Sequence, residues 1–269
     1  MRFLLTAMML SVMFSSGISA ANKKPDNSVV FLEKDTEIQG IPLKAKEMVV
    51  YYESGKLQVG VLSKDFMLCG VIFPSGGTLI FYESGKIKEG TLKNDAVIQA
   101  VPFKSGKPIL FYENGYIERG VLAEESIVQG IKIEKNTLLN FYSNGNVMGV
   151  KPMEDVSIQG GMWKTGKIIA FYENGNIQRG TLGADSTVQG ILFKEKTTLE
   201  FFNNGKVKTG IPASDTEISG LVFKMGKPLK FFDNGHLESG TLAKECEIQS
   251  KKIKAGKTVT FKEDGTFKK

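Results

Sequence analysis

"FYENGNIQRGTLGADSTVQG", Phe171 to Gly190, is the stretch on which the fold turns, because the chain repeats it. Near-copies begin at Tyr51, Phe81, Phe111, Phe141, Phe201 and Phe231, and a truncated one begins at Phe261. The period is 30 residues, without insertion, from Tyr51 to Lys269. Half a unit (31–50) precedes seven full units (51–260) and a partial unit (261–269) follows, so 31–269 reads as a single β-repeat domain. Self-similarity at a fixed period means that neighbouring units share one continuous core.

Each unit holds three short β-like runs separated by turn signals. The first ends in an aromatic doublet, as in "KIIAFY", followed by Glu-Asn-Gly or Glu-Ser-Gly. Asn-Gly between apolar runs predicts a type I′ hairpin, whose two central residues need positive φ. The second run, "KIKEGTL"-like, carries a central glycine (Gly60, Gly90, Gly120, Gly180, Gly210, Gly240), which fits a β-bulge or a close backbone approach. Ile117 and Leu122 are an odd number of residues apart, so both face one core only if an extra residue is absorbed. The third run, "VIQGILF"-like, shows the same slip around Gly220. No window keeps a helical period. The prediction is all-β: tandem 30-residue repeats forming a coiled antiparallel β-meander of hairpins. A β-solenoid with three short strands per coil is the alternative, since an odd strand number reverses a simple meander at every repeat.

The first 21 residues read as an export signal. Arg2 gives a positive start, Phe3 to Phe14 is an uncharged apolar run, and "SSGISAA" offers small residues for cleavage. That run is shorter than the roughly 20 residues needed to cross a bilayer. Residues 22–30 follow as a short linker, and no later segment reads as a membrane-spanning helix. The expected location is therefore periplasmic, extracellular or at the cell surface. The net charge of +6 is spread over all the repeats, which argues against a nucleic-acid partner. It densifies only in "KKIKAGKTVTFKEDGTFKK", which suits a solubilising tail or a weak attraction to an anionic surface. Cys69 and Cys246 are the only cysteines, and a bridge between them would bring the ends of the array together.

"YYESGKLQVG", "FYESGKIKEG", "FYENGYIERG" and "FYENGNIQRG" resemble MORN-type repeats, particularly the bacterial variants written Tyr-Tyr-Glu-Asn-Gly-Lys-Leu. The resemblance covers about ten of every 30 residues and recurs along the chain. It implies scaffolding, membrane-proximal or interaction roles, not one chemistry, and it transfers no functional residue. MORN units are shorter, with two strands, and lack the additional "IQGxxFKxGK" segment found here.

Enzyme signatures are sparse. His236 is the only histidine and sits in a turn, so Ser-His-acid or Cys-His catalysis would rest on it alone. One acid recurs per unit (Asp35, Asp65, Asp95, Asp155, Asp185, Asp215, with Glu125 and Glu245). Calcium takes about six to eight oxygens, more than one acid per unit supplies. The acid is expected instead to accept a backbone N–H two residues on, and no metal or cofactor is called for. Gln39, Gln99, Gln129, Gln159, Gln189 and Gln249 read as an amide ladder or an exposed polar row.

Neighbouring strand residues face opposite sides, so the Phe of each doublet is assigned to the core. Tyr52, Tyr82, Tyr112, Tyr142 and Tyr172 then form a row on the second face, either able to stack on glycan rings or grip a partner, or covered by a neighbouring sheet layer. The expected function is that of an exported, non-enzymatic binding or structural module at the cell envelope or outside the cell. Its partner would be envelope polysaccharide, an anionic lipid surface or another protein. The alternatives are an enzyme acting on envelope polysaccharide, sought in the irregular unit 141–170, and a self-assembling surface filament.

Overall fold

The computed structural model describes residues 29–248 and 250–268; the expected export signal lies outside them. Among the described residues every regular element is a β-strand, and paired strands are antiparallel.

A unit contains four strands, not the three expected. Around Phe81 they are Thr78–Phe81, Ile87–Thr91, Ala96–Ile98 and Val101–Phe103. The first two make a long hairpin and the last two a short one, so the third run of the sequence is folded back on itself. The slip expected at Gly220 is this reversal: Ile218 opposes Leu221, with Ser219 (φ 52) and Gly220 (φ 78) between them. Two central residues with positive φ are the type I′ signature. That turn was expected at Asn-Gly, where glycine alone takes positive φ (93° at Gly115). There the Gly115 N–H donates to Tyr112 O and the Tyr112 N–H to Tyr116 O, both at 2.8 Å. Phe111 pairs with Ile117, and a loop of that length is built on a type I turn instead.

Four strands per unit keep all units running the same way. The long hairpins zip edge to edge into two eight-stranded meanders, from Val29–Phe31 to Leu138–Asn140 and from Gly149–Val150 to Thr258–Thr260. The Phe141–Val147 bridge and a 2.8 Å bond from Met148 N–H to Asn140 O join them, and neither closes into a barrel. The first strand begins at Val29, inside the expected linker. The expected bulge is present: Ile80 opposes Glu89 and Phe81 opposes Ile87, leaving Lys88 as the extra residue. Absorbing it turns both Ile87 and Leu92 inward, 5% and 1% exposed.

The short hairpins cover one face of the meander, and the core lies between the two layers. Phe81, Phe111, Phe141, Phe171, Phe201 and Phe231 are buried there, as expected. The central glycines are the close approach, not the bulge. Each lies under the large side chain that ends the preceding short hairpin. A Cβ on Gly120 would come within 2.6 Å of Phe103 Cε1, and one on Gly180 within 2.5 Å of Trp163 Cε3. The ring thus fills the volume of the missing side chain. In the irregular unit the pair is exchanged, since Val150 replaces the glycine and Ile133 the aromatic, and both are buried. Trp163 is larger than Phe and needs a second bare position: a Cβ on Gly161 would lie 2.7 Å from its Cζ2. Both cysteines are free, Cys69 at a short-hairpin tip and Cys246 at the start of the last short hairpin.

This packing has a mutational signature. Gly120→Val is expected to cost about 2–3 kcal/mol by overpacking. Adding Phe103→Ile should recover at least about 1 kcal/mol relative to the sum of the single changes, measured by urea denaturation. Strict additivity would show that the two positions do not share one volume.

Candidate functional site

The tyrosine row stands on the outer face at the turn end of the long hairpins, and all five side chains are half-buried. Each phenol reaches into the next unit. The hydroxyls of Tyr52, Tyr82 and Tyr112 donate to Phe81 O, Phe111 O and Phe141 O at 2.8 Å; those of Tyr142 and Tyr172 donate to Phe171 O and Phe201 O at 2.9 Å. Burial pushes the Tyr82 and Tyr112 phenols up, with the Glu118 carboxylate adding to it, so they stay neutral donors. The polar end of each ring is thereby committed to the array, while part of the ring remains accessible. In the last two full units the position is Phe202 and Phe232, with no hydroxyl to make the bond.

Other recurring polar residues also fasten one hairpin to another. The Asn114 amide donates to Ser143 O at 2.6 Å while its Oδ1 accepts Tyr116 N–H at 3.1 Å. Gln99 Nε2 donates to Gly115 O at 3.0 Å, and its Oε1 accepts Ile117 N–H at 3.2 Å. Gln39, Gln159 and Gln189 repeat this clasp, Gln129 turns to Asn146 Oδ1, and Gln249 lies outside the described residues. Sequence reasoning missed this role. Its signal was Gln-Gly (Gln-Ala at Gln99) set directly after an aliphatic residue, as in "VQGI".

The recurring aspartates accept a backbone N–H ten residues on, not two: Asp35 from Ala45, Asp95 from Ser105 and Asp155 from Thr165. Those residues flank a short hairpin, so the carboxylate staples its base. Glu125 pairs with Lys132 instead, at 2.6 Å. Among the described residues no group of three or more His, Cys, Asp or Glu is placed to hold a metal ion.

The outer face changes character along its length. The first sheet opens on a row of Val29, Val50, Val59 and Ile80, opposed across successive strands, and the row becomes mixed at Glu89, Leu110, Arg119 and Asn140. In the second it runs from Gly149 and Ala170 into Arg179, Glu200, Thr209, Lys230 and Ser239. A groove of about 610 Å3 opens on this polar part, where Phe202 and Phe232 replace the tyrosines. Its lining includes Glu200, Lys208, Thr209, Lys230 and Glu238, with Lys208 Nζ 5.7 Å from the Phe202 ring centroid. The column of aromatics was legible in sequence; the cavity at its C-terminal end was not.

No protein-family model matches the chain, and no curated protein matches it. Among solved structures it is similar to a porin-like protein from Bacteroides uniformis ATCC 8492, at 11% identity and a TM-score of 0.14. That alignment covers 90% of this chain and 97% of the other, and at such a score it carries no argument. No helix among the described residues is long and apolar enough to cross a membrane.

Two measurements test the fastening roles. Tyr142→Phe is expected to cost about 1 kcal/mol, the worth of one part-buried hydrogen bond, with the fold retained by circular dichroism. Asp65 is held below the ordinary carboxyl value of 3.8 by the Lys93 ammonium and the Ser75 N–H, and Asp95 by the Ser105 N–H and hydroxyl. A depressed native pKa gives stability that is present above 3.8 and lost as pH falls through the native value. The Tm should therefore drop below about pH 4, and Asp95→Ala should lower it at neutral pH while flattening that acid decline.

Proposed function

We propose that the protein is exported and acts, without catalysis, as a rigid binding or structural module at the cell envelope or outside the cell. The observation that carries this reading is the uncovered outer face. The short hairpins mask only one side of the meander, which leaves the other as a long sheet edged by half-exposed aromatic rings. Hydrogen bonds between units hold those rings in register, so a ligand meets a preorganised surface. The export signal read in the sequence supplies the compartment. We read each unit as a MORN-like long hairpin elaborated by a short one.

The features that favoured an enzyme in unit 141–170 have packing explanations: Trp163 is buried on Gly180, and Val150 balances Ile133. His236 Nδ1 lies 2.8 Å from Glu263 O, the contact that the Asn176 amide makes with Asn203 O two units earlier in the series. An end-to-end filament would set Ile253, which ends the last short hairpin, on Val30 of a second copy, the pairing that Ile133 and Val150 make within the chain. Light scattering of the folded chain tests that alternative, and a monomer at all concentrations would remove it.

Co-sedimentation of residues 22–269 with purified envelope polysaccharide, and with anionic lipid vesicles, tests the reading. Retention on polysaccharide without release of reducing sugar is the expected outcome. Release of reducing sugar, or retention on neither matrix, would overturn it.

A further inference from the structure

We propose that the groove between Phe202 and Phe232 is the subsite for an extended, neutral β-1,4-linked glycan. The proposal rests on reading the outer face as a binding surface and assigns that surface a place and a ligand class. Its first support is the exchange of residues along the aromatic column. Where tyrosine stands, the hydroxyl crosses to the phenylalanine carbonyl of the next unit and spans the space between hairpins. Phe202 cannot make the equivalent bond to Phe231 O, and Phe231 lines the cavity that remains. The absence of two hydroxyls thus coincides with an opening on the face.

The second support is chemical. The lining presents two aromatic rings, the carboxylates of Glu200 and Glu238, the ammoniums of Lys208 and Lys230, and Thr209, whose hydroxyl donates to Leu229 O and is left as an acceptor. Acceptors and donors are interleaved, with Asp233 and Glu263 completing the rim. A polyanion would face four carboxylates against two ammoniums there, and an ammonium-bearing chain would leave the Lys208 and Lys230 ammoniums opposed by like charge. A neutral polyhydroxylated chain uses both signs, accepting from lysine and donating to glutamate. Its C–H faces stack on the rings.

The third support is the spacing. Phe202 and Phe232 sit one unit apart, which is two strand separations or about 9.5 Å. That is close to the length of a disaccharide in an extended β-1,4 chain, so successive rings meet the same face of alternate sugars. The groove lies open on a sheet surface, so a long polymer can enter sideways without offering an end.

Titration calorimetry of the folded chain with chitohexaose and with cellohexaose tests this. The wild type is expected to bind at least one of them. Phe202→Ala and Phe232→Ala should each weaken binding at least tenfold with Tm nearly unchanged, and Phe202→Trp should retain it. Thr209→Arg, which grows into the groove from a strand centre, should abolish binding; this variant decides the matter if either alanine variant fails to fold. The two hexaoses separate a need for the acetamido group from a need for the β-1,4 backbone alone. Unchanged affinity in Thr209→Arg, or no wild-type binding to either sugar, would overturn the subsite. Retention of these same variants on envelope polysaccharide would then leave the broader binding reading standing.

Discussion

A large side chain resting on bare backbone is the joint on which this array depends. Phe73, Phe103, Trp163, Phe193 and Phe223 end short hairpins, and each fills the space above a glycine in the following long hairpin. The contact lies between units, so one unit alone has neither a complete core nor a place for its own ring. It also requires two complementary residue types at once, a bulky donor and an absent side chain. At Ile133 both are altered, with Val150 in the place of the glycine and both buried, whereas at the first joint Leu43 rests on an unchanged Gly60. Ile and Val together carry as many side-chain carbons as Phe and Gly, so the exchange keeps the summed volume near that of the other joints.

Around this joint the recurring polar residues act mainly on backbone. Tyrosine, asparagine and glutamine side chains each bind a main-chain group in a neighbouring hairpin, and aspartate closes the short hairpin it precedes. Among the described residues no buried side-chain nitrogen or oxygen lacks a partner. Hairpin tips would otherwise be the loosest parts of an open sheet, since their main-chain groups lie beyond the ladder. Stacked side chains hold them instead. That rigidity allows the outer face to present aromatic rings at a fixed interval.

Much of the fold was legible because periodicity carries it. The 30-residue spacing, the inward Phe of each doublet and the one-residue slip between Ile87 and Leu92 all follow from alternation and turn chemistry. The strand count was misread because the short hairpin's turn uses glutamine at positive φ, an uncommon choice for a residue with a Cβ. Gln99 is held there by its clasp on the next unit, a tertiary cause that local pattern does not display. The same holds for the aspartates, whose acceptor role spans a hairpin that had not been recognised. For the candidate site, the aromatic column was readable, but the loss of two hydroxyls gained meaning only once the reach of the other five was known.

The joint bears on how such a molecule can change length. Internal duplication of a unit copies both halves of the joint, so each added segment arrives with its own ring and its own seat. Val30, which faces Val49, stands where glycines stand elsewhere. It would seat a short hairpin ending in a smaller side chain, as Val150 seats Ile133, and not one ending in phenylalanine. Duplication needs no such match, so insertion is the simpler route to a longer array.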